Sequence, residues 1–161
     1  MKLFEEIQRF NQWWLWLLLI GITMIPIYGI YKQIYLGETF GDNPMSNTGH
    51  VVFLVFTLLF DWWFWSMKLL TKIDIKGVSI KFFPFTQQSI QWEDIKSAEV
   101  VNYGFVGGWG VRIGTKYGTV YNTAGNKGLA LILKNGKKIC IGTQKDEEMK
   151  SVVNEILETL K

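Results

Sequence analysis

The chain has 161 residues, room for about one domain with additions, and 48% of it is hydrophobic and 16% aromatic. Its formal net charge of +3 is too mild for the basic stripe of a nucleic-acid binder, so no nucleic-acid partner is expected. The one cysteine, Cys140, excludes an internal disulfide and suits a reducing compartment.

Six of the eight tryptophans precede residue 70, which separates an apolar first half from a Gly-rich second half. Residues 1–12 form an amphipathic N-terminal segment. Leu3, Phe4, Ile7, Phe10 and Trp14 recur at helical spacing, with Glu5, Glu6, Gln8 and Arg9 opposite. That pattern predicts a helix along the inner leaflet, or a plain extension of the span that follows.

Residues 13–31 run for 19 positions without a charge, about the length of a bilayer core. Gly21 and Pro26 are tolerated better in a membrane helix than in a soluble one. A signal peptide is the alternative, but Glu5 and Glu6, the long apolar core and the lack of a small-residue cleavage site argue against it. Residues 32–50 form an extracytoplasmic linker, and residues 51–70 a second transmembrane helix whose only charges are Asp61 and Lys68. Its crowded tryptophans argue against a soluble core helix.

Lys2 and Arg9 precede the first span, Lys32 alone occupies the linker, and Lys68, Lys72, Lys76 and Lys81 follow the second. The positive-inside rule then places both termini in the cytoplasm, in a multi-pass protein of the cytoplasmic (inner) membrane. Trp13, Trp14 and Trp16 start the first span and Trp62, Trp63 and Trp65 end the second, so all six are interface anchors at one level. Asp61 is the candidate intramembrane polar site; a charge at the bilayer centre costs at least ~2.5 kcal/mol. It is either a proton or ion relay, for which the first span offers Thr23 and Tyr28, or an acid near the headgroups within reach of Lys68.

From residue 72 the pattern shortens to period two. Ile73 and Ile75, then Val78, Ile80 and Phe82, then Ile90 and Trp92 alternate with polar residues, which predicts strands. Further strand runs cover 96–103, 110–114, 119–122, 128–134 and 137–142. Asn135-Gly136 predicts a two-residue type I′ hairpin, with Ile132 opposite Ile139, Leu131 opposite Cys140 and Ala130 opposite Ile141. One face then carries Ala130, Ile132, Ile139 and Ile141, the other Leu129, Leu131, Leu133, Cys140 and Lys138. Thr143 to Asp146 has capping-box spacing. The helix after it places Met149, Val152, Val153, Ile156 and Leu160 on one face. About seven strands closed by one helix predict a small barrel or sandwich plugged by that helix.

This order of two spans, an all-β unit and a C-terminal helix resembles bacterial membrane proteins with a pleckstrin-homology-like (PH-like) domain. The wording that carries the resemblance is WEDI at 92–95, GGWGVR at 107–112 and YNTAGNKGLALILKNGKKICIGTQ at 121–144. The resemblance covers roughly residues 72–161 together with the helical hairpin, and implies a bent seven-stranded barrel capped by one α-helix for the PH-like domain, residues 71–161. It implies no general enzymatic activity. The ligand residues of eukaryotic lipid-binding relatives do not carry over, because their motif is absent.

The motifs for chemistry fail. Gly136-Lys137 is followed by Lys138, with Leu131 where a P-loop needs glycine. Gly108-Trp109-Gly110 meets Ile113 where a dinucleotide fingerprint needs its third glycine. His50 falls in the outer linker and Cys140 in a cytoplasmic strand, so they cannot pair, and no cluster has metal-ligand spacing. The sequence thus predicts no enzyme, cofactor or metal. Half of the sixteen glycines lie between residues 104 and 128. They either expose backbone N–H groups as an anion nest, with Arg112, Lys116 and Lys127 nearby, or simply supply tight turns.

The expected function is a non-catalytic, membrane-anchored binding module or scaffold. Its PH-like unit offers a protein- or lipid-contacting edge built from Trp109, Arg112, Lys116, Asn126 and Lys127. Residues 71–161 carry thirteen basic and nine acidic groups, a net +4, so anionic membrane lipids join a protein partner or self-association as expected contacts. The alternatives are an oligomeric transporter or channel subunit using Asp61, and a structural subunit of a larger membrane complex.

Overall fold

The structure, a computed structural model, describes residues 4–160; Lys2 and Leu3, counted in the N-terminal segment above, lie outside them. It has two compact units: one of residues 11–66, and one made of the chain before and after that insertion.

In the inserted unit, α1 (Trp13–Ile30) runs into a π-helical turn, Tyr31–Tyr35, and α2 (Asn47–Ser66) returns antiparallel to it. The buried positions of α1 are Leu19, Thr23, Pro26 and Gly29, three or four residues apart and hence on one face. Those of α2 are both polar, His50 and Thr57. The large apolar side chains point outward instead: Leu17, Ile20 and Met24 on α1, and Val52, Phe56 and Leu59 on α2, are all more than half exposed. A soluble core helix has the opposite arrangement. Both helices are long and apolar enough to cross a membrane.

The second helix starts four residues earlier than the predicted 51 and ends four earlier than 70. The Ser46 hydroxyl accepts the Gly49 N–H at 3.1 Å and begins the helix there. At the other end Leu69, Thr71 and Ile73 alternate into a core and draw the chain into a strand. His50, expected in the linker, therefore lies in the first turn of α2. Its ring packs on Gly29, where an added methyl carbon would stand 2.5 Å from a ring atom.

The other unit holds, among the described residues, nine strands in two sheets and no closed barrel. The first is an antiparallel meander of β1 (Phe4–Arg9), β2 (Lys68–Ile73), β3 (Gly77–Phe83) and β4 (Thr86–Gln91). A 3-10 turn at Trp92–Asp94 leads to β5 (Ile95–Asn102). β6 (Gly110–Thr115), β7 (Gly118–Asn122), β8 (Lys127–Leu133) and β9 (Lys138–Gly142) follow, in the sheet order β5-β8-β9-β7-β6. β7 and β9 pair in parallel, so residues 121–128 join two strands that have β9 between them. The α-helix α3 (Asp146–Thr159) packs Met149, Val152, Val153 and Ile156 into the core. Leu160, placed on that face by periodicity, lies past the helix and is half exposed.

Three local expectations change. Residues 4–9 are a strand, not a surface helix, because Phe4, Glu6 and Gln8 are buried in alternation while β1 pairs along all of β2. The eight runs read from the sequence, expected to make about seven strands, are all strands, and β1 makes nine. The β8–β9 connection is a three-residue loop, residues 134–136: the Leu133 N–H bonds to the Lys137 carbonyl, and Gly136 takes a left-handed φ of 84°. That is the geometry of a type I turn closed by a left-handed glycine. The register slips by one, so Leu131 faces Ile139, Leu129 faces Ile141, and Ala130 faces Cys140. The core face is accordingly Leu129, Leu131, Leu133, Ile139 and Ile141, and the second carries Ala130, Ile132, Lys138 and Cys140. Thirdly, no capping box forms. Thr143 is buried, its hydroxyl accepts the Lys145 N–H at 3.0 Å, and Asp146 is the first helical residue.

Candidate functional site

The Gly-rich turns converge on a cleft of about 240 Å³ lined by Gly104, Phe105, Val106, Gly108, Trp109, Asn122, Gly125 and Asn126. Seven of the eight glycines between 104 and 128 have positive φ, Gly128 being the exception. Glycine takes that backbone conformation without the steric cost a side chain brings. Asn122 forms the floor. Its amide N–H₂ donates to the Tyr103 hydroxyl at 3.3 Å, while its Oδ1 is buried with no hydrogen-bond partner among the described residues. The Tyr103 hydroxyl donates in turn to the Gly125 carbonyl at 3.3 Å, and the Tyr103 N–H to the Asn126 carbonyl at 2.8 Å. Burial pushes the Tyr103 phenol above its usual pKa, against the bond from Asn122. Phe105 is 89% exposed at the rim and Trp109 37%.

Of the predicted contact residues, Trp109 and Asn126 line this cleft. Arg112 lies next to it, and its guanidinium donates to the Trp109 carbonyl at 2.7 Å, closing its own turn. Lys116 stands over the Tyr117 ring, 4.9 Å from its centroid, and lines a different depression with Ser97, Glu99 and Lys138. Lys127 is bound to Asp146 at the start of α3. Arg112, Lys116 and Lys127 thus each make a different contact.

The Lys127–Asp146 pair is exposed and holds the Asp146 carboxyl below its ordinary pKa and the Lys127 ammonium above its own. The Asp146 contribution to stability is present above the unfolded carboxyl value of 3.8 and is lost as pH falls through the depressed folded value. The Lys127 contribution is present below 10.5 and is lost as pH rises through the raised folded value. Asp146→Asn is accordingly expected to lower the melting temperature slightly at neutral pH. The difference should vanish in molar salt and in strong acid; a difference that persisted in both would assign Asp146 a non-ionic role.

A second polar cluster, missed in the sequence, holds β1 to the chain before α3. Glu6 accepts the Thr143 hydroxyl at 2.6 Å and the Gln144 N–H at 2.9 Å. Gln8 donates to the Gly142 carbonyl at 2.7 Å and accepts the Thr123 hydroxyl at 3.2 Å. Glu6 and Gln8 are 6% and 2% exposed. The available signal was period two across Phe4, Glu6, Gln8 and Phe10, masked by two polar residues facing inward.

Inside the helical unit Asp61 accepts the Thr23 hydroxyl at 2.8 Å. Lys68, the expected partner on the same helix, instead begins β2. His50 shares a 3.1 Å bond with Gln33, whose amide also donates to the Met45 carbonyl and Asn47. Trp16 and Phe64 meet edge to face, which brings the Trp13–Trp16 and Trp62–Trp65 clusters to one end of the helix pair. Trp13, Trp14, Trp62, Trp63 and Trp65 are exposed there.

Cys140 is fully buried against Tyr103 and Val120, and burial pushes its thiol pKa up to about 12. It is thus neither a nucleophile nor a reactive surface thiol at neutral pH. Among the described residues no group of three or more His, Cys, Asp and Glu side chains is placed to hold a metal. No family model matches the chain and no curated protein matches it, so its functional reading rests on these residues alone.

Proposed function

We propose that the chain is a non-catalytic, membrane-anchored module. Its hairpin crosses the cytoplasmic membrane twice, and its PH-like β-unit presents a contact surface in the cytosol. The observation that carries this reading is the inverted polarity of the helix pair: apolar side chains outward, with Thr23, His50, Thr57 and Asp61 turned toward or along its interior. Water would penalise that outer surface and lipid would not. The pairing of β1 with β2 supports the topology, because the strands before and after the hairpin belong to one unit. That pairing favours both ends of the hairpin on one side, and the lysines after α2 favour the cytoplasm.

The contact surface is the cleft between residues 104–109 and 122–126. Phe105, Val106 and Trp109 offer apolar anchorage, and Asn122 Oδ1 an acceptor for a partner's N–H or O–H. An apolar side chain beside a peptide N–H, from a protein partner or a second copy, meets both. Trp109→Ala is expected to reduce crosslinked partner recovery from intact membranes severalfold while leaving expression unchanged. Equal loss of both would make Trp109 a folding residue and remove the cleft from the account.

The Asp61–Thr23 bond supports a second reading, an oligomeric transporter or channel subunit. Asp61 already has a partner within the hairpin, and pairing two helices is a sufficient role for it. Asp61→Asn is therefore expected to leave membrane ion flux unchanged; abolition of a measured flux would favour the second reading.

A further inference from the structure

We propose that the β3–β4 turn, Phe83-Pro84-Phe85, inserts into the lipid headgroup boundary. This rests on the reading of the hairpin as membrane-spanning. The register places Arg9, Lys68 and Phe83 in one row across β1, β2 and β3, at one end of the sheet. Both connections to the helices leave from that row. Only residues 10–12 separate β1 from α1, and only Met67 separates α2 from β2. At ~3.5 Å per residue, covalent reach keeps Arg9 within about 14 Å of Trp13, and Lys68 within about 7 Å of Ser66. Those helix ends carry the tryptophan clusters that sit at a membrane interface.

The turn is chemically suited to that location. Phe83 and Phe85 are 42% and 55% exposed, whereas Phe82 between the strands is 1% exposed. The Phe85 ring lies 5.8 Å from that of Phe82, and Phe10 meets Phe82 edge to face at 6.4 Å, so a buried aromatic backs the exposed ones. Arg9, Lys68 and Lys81 share the outer face with Phe83. Aromatic rings flanked by cations are what an anionic lipid surface binds. The β2–β3 turn at the other end of the sheet contains Asp74 and Lys76 and lies about 20 Å away, the length of the seven-residue strand β3.

The test uses the full chain in nanodiscs of phosphatidylcholine and phosphatidylglycerol, with one fluorescent thiol label at a time. Buried Cys140 stays silent. Labels at Phe85→Cys, Lys76→Cys and Val55→Cys are read against lipids carrying a spin-label quencher near the headgroup or at mid-chain. The proposal expects the label at 85 to lose most of its emission to the headgroup quencher. The label at 76 should keep its emission, and the label at 55 should lose its own to the mid-chain quencher. Quenching at 55 without quenching at 85 overturns this inference alone and leaves the turn to a protein partner. Equal quenching at 76 and 85 overturns the assignment of lipid contact to this turn. No quenching at 55 removes the spanning reading and this inference with it.

Discussion

Glu6→Ala is expected to destabilise the β-unit by about 3 kcal/mol, because a buried charged acceptor bonded to two donors is lost. The Thr143 hydroxyl, itself 3% exposed, would lose its acceptor, and the Gln144 N–H would need water in its place. The consequence reaches further than a local bond. Glu6 lies on the strand that precedes the helices and Thr143 on the segment that enters α3, so the contact closes the β-unit across 137 residues of chain. Thermal unfolding of the detergent-solubilised protein, followed by near-ultraviolet circular dichroism, reads the effect. Glu5→Ala is the control: Glu5 makes an exposed pair with Lys72, worth below about 1 kcal/mol. Equal stability of the two variants would mean that β1 is not an integral strand.

Gly118→Val is expected to be at least as damaging, about 4 kcal/mol, and to prevent folding where stability is marginal. Gly118 begins β7 with φ of 76°, a conformation that a β-branched residue adopts only under strain. An added Cβ would also stand 2.1 Å from the Lys138 carbonyl oxygen on β9, a backbone atom that cannot rotate away. The substitution must therefore separate the parallel β7–β9 pair, which carries the buried Val120 and Cys140. The readout is the loss of monodisperse protein in detergent together with exposure of Cys140 to a thiol reagent. Wild-type reactivity at Cys140 in a folded Gly118→Val protein would show that the pair tolerates a side chain there.

The helical segments were legible because a long uncharged run has few alternative fates. Their boundaries were less so. Residues 67–70 are as apolar as a span end, and only pairing with β1 and β3 makes them strand. Residues 4–9 satisfy two periods at once, since Phe4, Ile7 and Phe10 fit a helix while Phe4, Glu6, Gln8 and Phe10 fit a strand. Partners far away in sequence decided between them. The Asn135-Gly136 turn was recognisable, but its loop length, and with it the register, depends on whether Leu133 or Lys134 makes the last cross-strand bond. Of the glycines between 104 and 128, all but Gly128 take the positive φ that glycine adopts most readily, some in turns and some within β6 and β7. That Lys127 meets Asp146, and Arg112 its own turn carbonyl, follows from long-range packing that local spacing does not encode. His50 was hidden by a misplaced helix start, and with it the polar lining of the helix pair.

The central claim is that a two-span hairpin interrupts one cytoplasmic β-unit, so that the strands on either side of it share a compartment. Cysteine accessibility in intact expressing cells tests it most directly, with the buried Cys140 as a silent background. Asn43→Cys, in the connection between α1 and α2, should react with a membrane-impermeant maleimide in intact cells. Glu5→Cys on β1 and Ser79→Cys on β3 should react only after lysis. Labelling of position 5 or 79 in intact cells, or labelling of all three alike, would contradict the account.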